Sequence, residues 1–379
     1  TEFADLDPED VRYNFFRWIT SGRAFAMGPS RVNPWTGEIL DADIVFDESM
    51  VRAYLRDYDL ALRQAPRKFF APEIQKLLEG EGARRYLPFA LGQIQRDADD
   101  FDSPFAAPKA TRCGLGNGVA HQLSLGMLAL GADGTLERGG KQFPQAFLDQ
   151  IVKDVVMHEV GHTLGLRHNF AASSWRPLSQ INGKDRPGDL CASVMDYNPI
   201  NIAAKPTEGQ GHYTMQSLGP YDYWAIRFGY DPNESAARKG IASVGSAQFL
   251  YATDEDTRGP DPYVQRWDLG QDPLVHTRER YALVERLLPK AVERAVEKGQ
   301  SYSDARRVVD MLVSDYVGAT MGAARFVGGQ RTYRFHKGDK GGKPPLVAVP
   351  AKKQREALHL VCTKVLAKDP FGLDDKTLA

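Results

Sequence analysis

The stretch His158-Glu159-Val160-Gly161-His162-Thr163-Leu164-Gly165-Leu166-Arg167-His168 constrains the fold of this chain more than any other feature. On an α-helix, residues four apart share a face, so His158 and His162 can aim their rings at one point with Glu159 beside it. Two imidazoles make only an open metal site. Gly165 lets the backbone leave the helix through a conformation that side chains disfavour, and the turn brings His168 within reach as a third ligand. Three imidazoles plus a fourth position for water is the donor set of a catalytic zinc ion. Such a helix must be well buried, and Phe147, Ile151, Val155 with Leu148, Val152, Val156 recur at helical spacing ahead of the motif.

Two histidines four apart also occur as solvated side chains on an ordinary helix. The added glycine and third histidine at fixed offsets argue against that, as does the downstream segment Ser193-Val194-Met195-Asp196-Tyr197. Together these segments resemble the metzincin clan of metalloendopeptidases, whose long zinc motif is followed by a methionine-containing turn beneath the metal. The residue after the third histidine is Asn169, unlike the serine, glutamate, aspartate or proline of matrixins, astacins, adamalysins and serralysins. The wording HEVGHTLGLRHNF with SVMDYNPINIA looks like a bacterial group of large, exported zinc-dependent metalloproteases. The segments Arg12 to Phe46 and Gly219-Pro220-Tyr221-Asp222-Tyr223-Trp224 are similar to that group too, so the resemblance runs to about Pro232.

The resemblance implies an α+β fold. A metzincin-like catalytic domain with a twisted mixed sheet, active-site helix, Met-turn and C-terminal helix would occupy residues 1–235, and a mainly helical region residues 236–379. It implies one zinc ion on His158, His162 and His168, and Glu159 as the base that takes a proton from water and returns it to the leaving amine. Met195 would form an apolar floor under the histidines. Tyr197 stands at the offset of the tyrosine that approaches the metal in astacins and serralysins, which implies an oxyanion-stabilising role; a core tyrosine is the alternative. Asp196 would orient a ligand histidine. The implied activity is that of a zinc-dependent endopeptidase acting on a protein or peptide, exported to the periplasm, cell surface or medium. The rival is a catalytically silent, zinc-holding protein-binding domain, against which the intact Glu159 counts. An enzyme acting on a non-peptide amide is disfavoured by the Met-turn.

Charge gives no other lead. With 48 Lys+Arg against 49 Asp+Glu the formal charge is −1, which argues against nucleic acid or a membrane surface as partner. No apolar run is long enough to cross a bilayer. The start Thr1-Glu2-Phe3 carries no signal-peptide pattern, so a processed or trimmed chain is expected. Cys113, Cys191 and Cys362 form no metal pattern, and an odd number leaves at least one thiol unpaired, though Cys113 and Cys191 could join.

Along the chain, Tyr13–Ile19, Ala24–Met27 and Ile39–Phe46 read as strands, with a turn at Asn33-Pro34-Trp35-Thr36-Gly37. A helical insertion is expected near residues 50–95. After Gly114, Gly116 and Gly118, the segment from Val119 to Leu130 reads as a strand candidate, and the metzincin resemblance implies that it is the edge strand on which an extended substrate would add. Its His121 is expected to be packed or exposed. Helices are expected from near Ser217, over His276–Lys298, over Ser303–Val327 with Ser303 as N-cap, and around Lys352–Leu366, with a hairpin between Arg331 and Val349. The helix face Tyr221, Trp224, Ala225 and Phe228 would pack under the Met-turn. The acidic groups Asp97–Asp102 and Asp254-Glu255-Asp256 could bind calcium (Ca2+) through hard oxygens, but neither has calcium-loop spacing, so solvated loops are expected. His212 is a candidate for contact with substrate, whereas His276, His336 and His359 are expected at the surface.

Overall fold

The computed structural model describes residues 6–21, 26–49, the positions 115, 118, 119, 122, 125, 126 and 129, and residues 145–206, 209–233, 247–339 apart from 296–302, and 341–367. The insertion near 50–95, the acidic run Asp97–Asp102, His121 and Cys113 lie outside these residues. The chain divides into two compact units, Thr1–Gln145 and Ala146–Ala379.

In the first unit, β1 (Phe16–Ile19), β2 (Ala26–Met27), β3 (Ser30–Val32), β4 (Ile39–Ala42) and β5 (Ile44–Asp47) form two small sheets. One is mixed, in the order β1-β5-β2, with β1 parallel and β2 antiparallel to β5; the other pairs β3 with β4. The expected strand Ile39–Phe46 is therefore two strands. Asp43 divides them, its N–H donating to Pro29 O and its carboxylate accepting the Phe15 N–H, so the chain passes from one sheet to the other there. The turn falls where expected: Asn33 exchanges hydrogen bonds with Glu38 and Gly37. Trp18 stacks on the fully buried Phe46, ring centroids 4.9 Å apart.

The expected edge strand from Val119 to Leu130 is not a strand at its described positions. Leu115, Gly118, Val119, Gln122, Leu125, Gly126 and Ala129 are all helical. The buried ones recur at three- and four-residue steps, the period of a helix face, whereas a half-buried strand would bury every second residue. Strand addition of a substrate along this segment is thereby withdrawn.

The second unit carries α1 (Gln145–Thr163), α2 (Pro220–Tyr230), α3 (Pro273–Ala295), α4 (Ser303–Ala324) and α5 (Ala351–Lys364), with the hairpin β6 (Gln330–Thr332) and β7 (Leu346–Ala348). Phe147, Ile151 and Val155 bury the inner face of α1. Helix α3 packs on α4 through Leu274, Tyr281, Val284 and Leu288 against Val308, Leu312 and Tyr316, with Tyr281 stacked on Tyr316 at 4.1 Å. A buried Arg280–Asp315 pair, Nε to Oδ2 at 2.9 Å, ties the two helices. His276 is buried beside it, not at the surface. Burial foremost, and the Arg280 charge next, push its pKa down to about 3, so it packs as a neutral ring. His336 and His359 are exposed as expected.

The core nearest the motif gathers Ile181, Leu190, Cys191, Val194, Met195, Met215 and Tyr221, with Trp224 and Ala225 against it. Phe228, expected on the same face, is instead half-exposed and stacks outward on Trp224. Cys191 is a free, buried thiol donating to Ser193 O, and Cys362 is free and exposed. Among the described residues no helix is long and apolar enough to cross a membrane.

Candidate metal centre

Helix α1 ends in a hydrogen-bonded turn that the sequence specifies. Gly165 takes φ +83°, its N–H donates to His162 O at 2.9 Å, and the Leu166 N–H reaches back to Gly161 O at 3.0 Å. This is the closing pattern of a helix with glycine in the left-handed position. It also exposes the Leu166 carbonyl, which accepts the Nδ1–H of His162 at 3.0 Å. The turn that stops the helix thus orients one ligand.

Each of the other rings is held the same way. His158 donates Nδ1–H to Val194 O at 2.7 Å, and His168 donates Nδ1–H to Asp254 Oδ2 at 2.8 Å. With every Nδ1 a donor, every Nε2 keeps its lone pair. The ligand nitrogens of the three histidines lie within 4.8 Å of one another. His162 Nε2 and His168 Nε2 are 3.1 Å apart, and two lone pairs that close repel unless a cation lies between them. Tetrahedral zinc at roughly 2.05 Å from each nitrogen would place such a pair about 3.3 Å apart. The residues fit the ion. Burial first, and the neighbouring imidazoles next, lower the pKa of His158 well below the ordinary value and that of His162 to about 4, so both are neutral ligands at neutral pH.

The Met-turn is clamped from α2. Asp222, buried, accepts from Ser193 Oγ at 2.6 Å, from the Val194 N–H at 3.0 Å and from the Gly219 N–H at 2.8 Å. Holding the Val194 amide on one side fixes its carbonyl on the other, where His158 donates. Met195 then rises against α1 so closely that a Cβ on Gly161 would lie 2.2 Å from its Sδ. Tyr197 is buried, its hydroxyl donating to His168 Nε2 at 3.1 Å and its ring between His168, Phe170 and Trp267. Glu159, one residue past His158 on α1, is fully buried.

Asp196 does not touch a ligand ring. Its Oδ2 accepts the Ser173 N–H at 2.8 Å, and the charge of the buried Asp268 acts on it in the interior. His212 also lies elsewhere: its neighbours Tyr213 and Thr214 are bonded to Gln150. That residue is eight positions before His158 on α1, about 12 Å along the axis.

Asp254-Glu255-Asp256, expected as a solvated loop, is solvent-facing at Glu255 but more ordered than a loop. These residues open a 3-10 turn, Asp254–Arg258, in which each carboxylate is taken: Asp254 by His168 and Arg266, Glu255 by Arg167, Asp256 by Arg334 and the Thr253 N–H. Asp254 and Asp222 were not legible as site residues, because both reach the ligands across long sequence separations.

Comparison with known protein families matches residues 140–378 to the Met-zincins. The chain belongs to the Met-zincin family. The match takes in nearly all of the second unit, including the helices α3 to α5 that the resemblance read from the sequence did not reach. No curated protein and no solved structure matches the chain. Family and histidine triad together make this a zinc-metalloprotease-like domain with an α+β fold.

Proposed function

We propose that the chain is a zinc-dependent endopeptidase, and the observation that carries this is the convergence of three Nε2 lone pairs beside the buried Glu159. Zinc bound there would supply Lewis-acid polarisation of a water and of the scissile carbonyl, bringing the water's pKa to about 7. His158, His162 and His168 would hold the ion through ring nitrogens with no anionic ligand among them, so its charge would stay available. Glu159 takes the water proton on a carboxylate oxygen and returns it to the nitrogen of the leaving amine. Tyr197 turns its hydroxyl from His168 Nε2 to the oxyanion that develops on the substrate carbonyl, a contact stronger in the transition state than in the ground state. Met195 closes the floor beneath the rings. Export to the periplasm, cell surface or medium belongs to the same proposal and rests on the sequence resemblance alone.

The test is Glu159→Gln, which keeps the ligands and the side-chain shape. Zinc content by metal analysis should stay near one per chain, while cleavage of a casein-like substrate should fall by about a hundredfold to ten-thousandfold. Wild-type protein that binds zinc and cleaves nothing, with Glu159→Gln indistinguishable from it, would leave the silent zinc-holding domain as the better description.

A further inference from the structure

We propose that Asp254 positions the third zinc ligand, by holding His168 through a carboxylate where the other two rings are held by neutral carbonyls. The inference rests on the zinc reading above and extends it to a residue 86 positions beyond His168.

Its first support is the asymmetry of the acceptors. His158 donates to Val194 O and His162 to Leu166 O, both peptide carbonyls, whereas His168 donates to Asp254 Oδ2. An anionic acceptor raises the basicity of the opposite ring nitrogen and lowers the net charge of the site by one, both of which favour a divalent cation. The carboxylate is paired with the Arg266 guanidinium, 2.8 Å from Oδ1.

Its second support is that the carboxylate is fixed from both sides. Arg266 donates to Oδ1 at 2.8 Å while His168 takes Oδ2, and the guanidinium lies over the buried Phe170 ring at 4.8 Å. A carboxylate gripped at both oxygens cannot rotate away from the imidazole. The segment carrying it is itself docked on the ligand loop: the Phe170 N–H donates to Ala252 O at 2.7 Å, and Asn169 bonds both Leu250 O and the Ala252 N–H. Residues 167–170 and 250–255 therefore run side by side, with Asp254 opposite His168 and Glu255 opposite Arg167.

The test measures zinc affinity of the full chain by competition with a chromogenic chelator, for wild type, Asp254→Asn, Asp254→Ala and Glu255→Gln. The visible spectrum of the cobalt-substituted proteins gives a second readout independent of turnover. Asp254→Ala should weaken zinc binding about 10- to 100-fold, the usual cost of losing such a partner. Asp254→Asn, whose amide oxygen still accepts from Nδ1 but whose NH2 faces Arg266, should fall between it and wild type, with an altered cobalt spectrum. Glu255→Gln, which lies in the same turn but serves only an exposed ion pair, should bind zinc like wild type. The proposal is overturned if Asp254→Asn and Asp254→Ala both bind within twofold of wild type, or if Glu255→Gln loses as much as they do, which would make the docking of the turn the cause. A wild-type chain that takes up no zinc would overturn the metal reading itself, a result distinct from either.

Discussion

The buried carboxyl pair behind the Met-turn yields a prediction with a definite sign. Asp196 and Asp268 are both almost fully buried; burial is the main reason their pKa values are raised, and the charge of Asp268 raises Asp196 further. Asp268 is pushed up to about 7, with Ser173 and Arg325 working the other way. Two interacting acids titrate as a pair, and burial shifts both toward the protonated form. In the unfolded chain both ionise near their ordinary value of about 3.9. Folded protein therefore binds more protons than unfolded protein between about pH 4 and 7. The stabilising contribution is complete below that window and lost as pH rises through it. At about 1.4 kcal/mol per pH unit over some three units, the Asp268 share of the loss is roughly 4 kcal/mol.

Asp268→Asn removes the Asp268 share of that dependence, while Asp196, raised chiefly by its own burial, keeps its share. The introduced amide is neutral at every pH. Relative to wild type the variant's stability should rise by roughly 2 to 3 kcal/mol between pH 5 and pH 8, on top of a constant offset set by how well the amide fits. Urea unfolding of the two proteins at both pH values measures this, and the zinc histidines cancel because they are common to both. A variant equally destabilised at pH 5 and pH 8, or a difference that does not grow between them, would show that Asp268 carries no proton excess in the folded state.

Gly161→Ala should destabilise by about 1 to 3 kcal/mol, measured by urea midpoint, because the clash with the buried Met195 Sδ exceeds the roughly 1 kcal/mol that alanine gains over glycine in a helix. Gly165→Ala faces open space but must adopt φ +83°, so it should cost about 1 to 2 kcal/mol and weaken zinc binding, because Leu166 O then shifts from His162. Tyr197→Phe should lower kcat by about ten- to a thousandfold with little change in KM or melting temperature, and parallel loss of stability and activity would make it a core residue.

Legibility followed sequence distance. The zinc helix, its glycine stop and the third histidine were readable because all their partners lie within a few residues: His162 finds its acceptor four positions away. His158 finds its acceptor 36 positions away in the Met-turn, which was readable as a turn, although Asp222, which clamps it, was not. Asp254 was read as solvent-facing because three acids in a row usually are; only the fold shows that each has a separate cation or imidazole to meet. The segment after Gly118 reads as a strand from its place ahead of the zinc helix, where a metzincin carries its edge strand, yet Leu115, Val119, Gln122, Leu125 and Ala129 recur at three- and four-residue steps, the period of a helix. His276 was misplaced for a related reason: a lone histidine in a charged helix gives no sign that the next helix will cover it.

Asn169, the residue that sets this chain apart from the familiar metzincins, becomes intelligible through the same distant segment. Fully buried, it donates its own N–H to Met195 O at 2.9 Å, its side-chain amide donates to Leu250 O at 3.0 Å, and its Oδ1 accepts from the Ala171 and Ala252 N–H groups. Its partners are one carbonyl and two amides, so the side chain must both donate and accept. An aspartate would leave Leu250 O facing a carboxylate, a serine is too short to span both sides, and a proline would lose the bond to Met195 O. Asparagine satisfies all of them at once and so joins the ligand loop, the Met-turn and residues 250–252. Asp254 follows two residues later, already opposite His168. The unusual residue after the third histidine and the carboxylate that grips that histidine are thus parts of one arrangement, in which a segment beyond the expected catalytic boundary at residue 235 completes the metal centre.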